Sequence, residues 1–304
     1  MVKNIAASVK HRLLNLSRNT GDDFNQLLDR YTRERFLYRL SRSSFCNNFI
    51  LKGASVFEVW QGNPHRPTKD IDLLGFGSNS PEQLKSDFEK ICQIECDDGI
   101  EFEKISTDIL QKGQKYEGVR LNIEGKLGTA KLFLQVDIGF GHIVTPPARN
   151  EEFPTLLKQP APNLRVYPPE TVIAEKLQAM IVNGVNNSRI KDYYDCLFLA
   201  RNFEFDGEVL KQAIKATFQH RQTPISTQVP FGLTDEFVTL QPSRNNQWQK
   251  IVASCTTKSE ISLQQAIGSI REFLMPPLQA AAEDRSFSYQ WSPDRQWQSR
   301  STKP

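Results

Sequence analysis

No apolar run in this 304-residue sequence approaches the roughly 18–20 residues that a membrane-spanning helix needs. Lys3, Lys10, His11 and Arg12 interrupt the N-terminus, so the apolar core of a signal peptide is missing as well. Cysteine is scarce: Cys46, Cys92, Cys96, Cys196 and Cys255 are scattered, odd in number, and form no C-x-x-C. That excludes a disulfide scaffold and fits a reduced, cytoplasmic protein. The four histidines are isolated from one another, which argues against zinc chemistry. An excess of either charge is also lacking. Lys+Arg number 38 against 35 Asp+Glu, a net charge of +3, so the chain as a whole is not a polybasic binder. A local basic patch stays open: residues 1–49 carry nine Lys/Arg against four Asp/Glu. No G-x-x-x-x-G-K-[ST] occurs, and Gly75-Phe76-Gly77 lacks the third glycine of a dinucleotide fingerprint. There is no internal repeat.

What is present reads as two halves. Residues 3–18 and 22–42 have helical patterning, with Phe24, Leu27, Leu28, Tyr31 and Leu40 on an apolar side of the second helix. Arg30, Arg33, Arg35, Arg39 and Arg42 on that helix leave two readings open, a nucleic-acid-facing stripe or a solvated face paired with Asp29 and Glu34. Strand patterns follow at 69–74, 100–106, 118–124 and 131–139, with a helix at 81–93. The proline-rich stretch 143–168 reads as an extended crossing between lobes. From Pro168 onward the periodicity is helical, and residues 283–304 read as a polar, flexible tail. The expected organisation is N-terminal basic helices over 1–45, a mixed-sheet core over 46–150, a mainly helical lobe over 151–282, and the tail.

The most informative motif is Asp70-Ile71-Asp72. On a strand, alternate side chains share a face, so both carboxylates point one way while Ile71 and Leu73 point into the core. Paired carboxylates repel unless a cation joins them, and hard oxygen ligands suit Mg²⁺ or Mn²⁺. The strand 131–139 places Leu132, Leu134, Val136 and Ile138 on one face and Phe133, Gln135 and Asp137 on the other. If the two strands are neighbours, Asp137 joins Asp70 and Asp72, a set able to hold two ions about 4 Å apart for phosphoryl displacement. Gly53-Ala54-Ser55 at a strand-to-helix junction suits phosphate, through backbone N–H groups and the Ser55 hydroxyl.

These elements together resemble the AbiEii/AbiGii toxin family of nucleotidyltransferases, within the DNA polymerase beta-like superfamily. The resemblance rests on Leu51-Lys52-Gly53-Ala54-Ser55, Arg66-Pro67-Thr68-Lys69-Asp70-Ile71-Asp72-Leu73 and Leu134-Gln135-Val136-Asp137-Ile138. It continues in Tyr167-Pro168-Pro169-Glu170-Thr171-Val172-Ile173-Ala174-Glu175-Lys176 and Ser188-Arg189-Ile190-Lys191-Asp192-Tyr193-Tyr194-Asp195, and spans roughly residues 10–280. Ala54 departs from the pattern, standing where many members carry a second glycine or a serine.

The resemblance implies an α/β (α+β) nucleotidyltransferase-type mixed sheet flanked by helices, followed by a mainly helical C-terminal lobe. It implies transfer of NMP from an NTP, with two Mg²⁺ or Mn²⁺ ions on Asp70, Asp72 and Asp137. Gly53, Ser55, Arg66, Lys69 and Lys176 would bind phosphate. Asp192 would orient Lys176 or touch the nucleotide, while Asp195 is structural. The implied acceptor is the 3′ end of tRNA or another RNA, with Arg33 and Arg39 as nucleic-acid contacts, and a cognate antitoxin protein is the implied partner. Transfer to a protein side chain, and a catalytically silent nucleotide- or partner-binding module, are the competing readings.

Overall fold

The computed structural model describes residues 4–110, 118–255, 261–293 and 296–299. It divides into two units, one of residues 1–142 and 149–166, the other of residues 143–148 and 167–304.

The first unit begins with helices α1 (Ile5–Thr20) and α2 (Phe24–Arg42). Asn4 and Asp23 cap them, accepting from the N–H groups of Ala7 and Gln26, which supplies partners that the first helical turn lacks. The strands are β1 (Phe49–Lys52), β2 (Asp70–Gly75), β3 (Ile100–Leu110), β4 (Gly118–Leu127), β5 (Ala130–Phe140), β6 (Arg149–Glu152) and β7 (Asn163–Val166). Short helix α3 (Val56–Gln61) follows β1, and α4 (Pro81–Cys92) follows β2. All seven strands form one mixed sheet in the order β3-β4-β5-β2-β1-β7-β6. The stretch 143–168 is therefore more than a crossing. Its prolines fall outside Arg149–Glu152 and Asn163–Val166, so both segments keep the N–H groups a ladder needs and join the sheet of the first unit. The boundary expected after residue 150 is displaced accordingly.

The sheet has one covered and one open face. On β5, Leu132, Leu134, Val136 and Ile138 are buried, as their alternation predicts, and α2 packs on that strand. On the other face Phe133 is 60% exposed, and Gln135 and Asp137 are half-buried.

Neither reading holds for Arg33, Arg35 and Arg39, although Arg35 does pair with Glu34 at 3.3 Å and Arg42 is exposed. Arg33, Arg35 and Arg39 are buried, so Arg33 and Arg39 are not surfaces for nucleic acid and the stripe is not a solvated face. Each guanidinium finds partners far along the chain. Arg33 bonds the Glu58 carboxylate at 2.7 Å and the Thr68 carbonyl at 2.5 Å. Arg39 grips both oxygens of Asp98, at 2.5 and 3.1 Å, and bonds the Ile94 and Ile100 carbonyls. Arg35 also reaches Asp98 and the Pro160 carbonyl. Burying a charge is tolerable only with such compensation.

The second unit is mainly helical: α5 (Pro169–Asn183), α6 (Ile190–Asn202), α7 (Gly207–His220), α8 (Asp235–Thr239), α9 (Ser243–Ser254) and α10 (Leu263–Ala282). Strands β8 (Phe205–Asp206), β9 (Tyr289–Ser292) and β10 (Gln296–Ser299) make a small sheet in the order β10-β9-β8. The tail expected to be flexible thus contributes two strands. Trp291 is buried, donates to the Ala200 carbonyl at 2.7 Å and packs on Phe273, which anchors it. No described helix is long and apolar enough to cross a membrane.

Replacing Asp98 by Ala leaves Arg39 buried without its carboxylate. The unfolding free energy in a urea titration is expected to fall by about 3–5 kcal/mol.

Candidate active site

The acids meet because β2 and β5 are adjacent and parallel. Asp72 stands in register with Asp137, and Asp70 with Gln135. Neighbouring strands lie about 4.8 Å apart, so Asp72 and Asp137 are side by side on the open face, with Asp70 two residues earlier on the same face of β2. All three are half-buried.

Gly53 holds the turn between β1 and α3 with φ +69°, a backbone conformation that glycine adopts without strain. The more severe constraint is space. A Cβ on Gly53 would lie 1.9 Å from Asp72 Oδ2. The turn is pressed against the carboxylate, and only a residue without a side chain fits there. Ser55 follows in the same turn. It is buried, and its Oγ has no hydrogen-bond partner among the described residues. A buried hydroxyl in that state costs free energy unless something completes it.

Asp137 has a partner that sequence reasoning missed. Arg120 of β4, opposite it in register, donates Nε to one carboxylate oxygen and Nη2 to the other, both at 2.8 Å. Its hydrogen bonds to the Asp137 carboxylate hold the guanidinium further into its charged form, against a smaller desolvation effect. The signal that could have found it is the alternation of 118–124, where Val119, Leu121 and Ile123 face the core and Arg120 faces the acids.

The other expected residues divide. Arg66 is half-buried in the loop before β2, and Lys69 is exposed one residue before it. The charge of Lys69 acts on Asp29 of α2, which packs on the covered face. Lys176 and Asp192 belong to the second unit. There Lys176 Nζ, on α5, bonds Asp192 at 2.6 Å and Asp195 at 2.8 Å, both on α6. Asp192 also accepts from Arg189 at 2.6 Å. Burial alone would raise the Asp192 pKa, but the charges of Lys176 and Arg189 outweigh it and hold the carboxyl below its ordinary 3.8. Arg189, three residues before Asp192, is itself exposed while its partner carboxylate is buried. Asp195, fully buried, turns to Lys176 rather than to Lys191.

A family model described as "Nucleotidyl transferase AbiEii toxin, Type IV TA system" matches residues 35–282. The chain belongs to the AbiEii family. It is therefore a nucleotidyltransferase of a toxin–antitoxin family. No curated protein sequence matches it. Among solved structures, JHP933 from Helicobacter pylori is similar at 15% identity and TM-score 0.45, over 82% of this chain and 89% of that one. A second H. pylori structure, assigned as a nucleotidyltransferase, is similar at 14% identity and TM-score 0.45, over 82% and 92%.

The family generally uses a divalent metal. Among the described residues no group of three or more His, Cys, Asp or Glu is gathered to hold an ion. The donor chemistry of this face nevertheless fits a hard divalent cation with a nucleotide: carboxylates in adjacent register, a glycine cradle against one of them, and an uncompleted hydroxyl in the same turn. In this arrangement both oxygens of Asp137 are engaged by Arg120.

Two outcomes are expected. Gly53→Ala pushes Asp72 aside, and a displacement near 1 Å costs on the order of 10²-fold in nucleotidyl transfer, measured as labelled-NTP turnover. Asp192→Asn loses about 1.5–3 kcal/mol at neutral pH. Because the folded pKa of Asp192 is depressed, its stabilisation is present above 3.8 and lost as pH falls through the lower folded value. The variant's stability-versus-pH curve should therefore flatten in that acid range.

Proposed function

We propose that this protein transfers NMP from an NTP to an acceptor hydroxyl, the 3′ end of a tRNA being the acceptor, as the toxin of a toxin–antitoxin or phage-defence pair in the cytoplasm. The observation that carries the reading is the register of Asp72 with Asp137 beside a glycine turn that touches Asp72. In the reaction the acceptor oxygen bonds to the α-phosphorus, the bond to the β-phosphate bridging oxygen breaks, and pyrophosphate leaves. The hydroxyl proton passes to a carboxylate of the acid set.

Asp70, Asp72 and Asp137 would hold Mg²⁺ or Mn²⁺. When bound, the metal supplies positive charge against the triphosphate and the developing charge on the leaving group. The chain's own residues do the rest. Backbone N–H groups of the Gly53 turn and the Ser55 hydroxyl receive phosphate oxygens, and Asp72 is held in place by the turn against it. The family resemblance assigns Lys176 to nucleotide phosphate, with Asp192 orienting the ammonium. The 2.6 Å bond between them supports the orienting role. An RNA acceptor rests on the resemblance alone, now that Arg33 and Arg39 are accounted for inside the fold.

Asp72→Ala is expected to reduce metal-dependent NMP incorporation by about 10²–10³-fold or more. The assay is labelling of a cell lysate with each radiolabelled NTP, followed by RNase or protease digestion. Label lost to RNase identifies an RNA acceptor, and label lost only to protease replaces it with a protein. Wild-type-like incorporation by Asp72→Ala would overturn the catalytic assignment.

A further inference from the structure

One register row crosses five strands of the open face. Lys52 of β1 stands opposite Asp72, Asp72 beside Asp137, Asp137 opposite Arg120, and Arg120 opposite Asp108 of β3. Residues in register on neighbouring strands project from one face. The two central carboxylates are therefore bracketed by a cation on each side.

The two cations behave differently. The Lys52 ammonium lies 3.5 Å from His142 Nδ1 and 3.2 Å from the place a Gly139 Cβ would take. It extends across the space that Gly139 leaves open. Arg120 closes on Asp137 in a two-bond fork and is also within the field of Asp70 and Asp108. Asp108 in turn accepts from Asn122 Nδ2 at 2.8 Å. The Arg120 side chain is 34% exposed, so solvent already reaches the guanidinium.

A guanidinium fork occupies both oxygens of a carboxylate in the carboxylate plane. A hard divalent cation needs those same oxygens. Arg120 and the metal are therefore rival cations for one ligand. We infer that Arg120 is the resident counter-ion of Asp137, that divalent metal displaces it, and that the released guanidinium then binds a phosphate of the nucleotide. The inference rests on the cation site proposed above.

The consequence is coupling. Metal arriving alone must break a bidentate pair and leave a guanidinium beside a dication. Metal arriving with a nucleotide offers that guanidinium a phosphate, whose geometry suits the same fork. Each ligand then raises the affinity for the other by the same factor. Removing Arg120 takes away both the competitor and the phosphate ligand, so it acts in opposite directions on the two measurements. A merely structural arginine would not do this.

The test is titration of the full chain with Mn²⁺, read by electron paramagnetic resonance of the free ion. It is run without nucleotide and with saturating α,β-methylene NTP analogues, metal bound by the analogue itself being subtracted in parallel with an Asp72→Asn control. Wild type is expected to bind Mn²⁺ weakly alone and roughly 5- to 150-fold more tightly with the favoured analogue. Arg120→Ala should bind Mn²⁺ alone at least about 5-fold more tightly than wild type and lose most of the gain from the analogue. Arg120→Gln, which keeps a polar, uncharged side chain and most of the aliphatic stem, should repeat both effects and guards against a folding defect in the alanine variant. If both variants melt like wild type and bind Mn²⁺ no more tightly, while Asp72→Asn abolishes binding, the counter-ion role is wrong and the cation site stands. If Asp72→Asn binds Mn²⁺ like wild type, the cation site fails and the inference with it.

Discussion

The parallel pairing of β2 with β5 is the constraint on which the rest of the first unit depends. A slip of one residue would turn Asp137 to the covered face and Val136 to the open one. The apolar set Leu132, Leu134, Val136 and Ile138 prevents that slip, because its burial against α2 is lost in any odd register. The arrangement of the three carboxylates is thus held by apolar residues on the opposite face of the strand. The Gly53 turn adds a second lock, since the Asp72 carboxylate occupies the volume where any side chain at 53 would go.

Electrostatics on the two faces follow different rules. On the covered side, α2 uses arginines as internal ties. Arg33 connects it to Glu58 and to the backbone just ahead of β2, while Arg35 and Arg39 connect it to Asp98 at the entrance of β3. These pairs are desolvated and hydrogen-bonded to carboxylates and carbonyls, with the buried Arg33 Nε lacking a partner among the described residues, so they serve position rather than recognition. On the open side, Lys52 and Arg120 stand next to acids that are still half-exposed. Exchange with ligands is open to them because water already reaches them. The second unit repeats the first pattern in small form. Lys176 is clasped by Asp192 and Asp195 on the adjoining helix, and the charges of Lys176 and Arg189 depress the Asp192 pKa against its burial.

Much of this was legible in the chain. The alternation in 118–124 and 131–139, the D-x-D on an apolar strand and the glycine at a strand end are local signals, and they located β2, β4, β5 and the Gly53 turn. The family motifs, ordered from Leu51 to Asp195, pointed to nucleotidyl transfer. What misled was charge. Arginines at 33, 35 and 39 look alike whether they face solvent, RNA or buried acids, because their partners Glu58 and Asp98 lie 25 to 63 residues away. The tail misled for a related reason: Trp291 stood out in a polar segment as a residue able to dock, but its partners on α6 and α10 are distant in sequence, so the composition of the segment alone read as flexible.

The sequence by itself determined where β2, β4, β5 and the helices at the start of the second unit lie, which strand face carries Asp70, Asp72 and Asp137, and the family to which the chain belongs. Those properties follow from periodicity and motif order, which are local and additive. Only the tertiary structure decided that β4 flanks β5 with Arg120 on Asp137, that Lys52 closes the other end of the same row, and that the basic helix faces inward. Each of these depends on strand order and long-range pairing. A carboxylate's free energy is set by whichever cation the fold brings within a few ångströms, and sequence spacing carries no record of that distance.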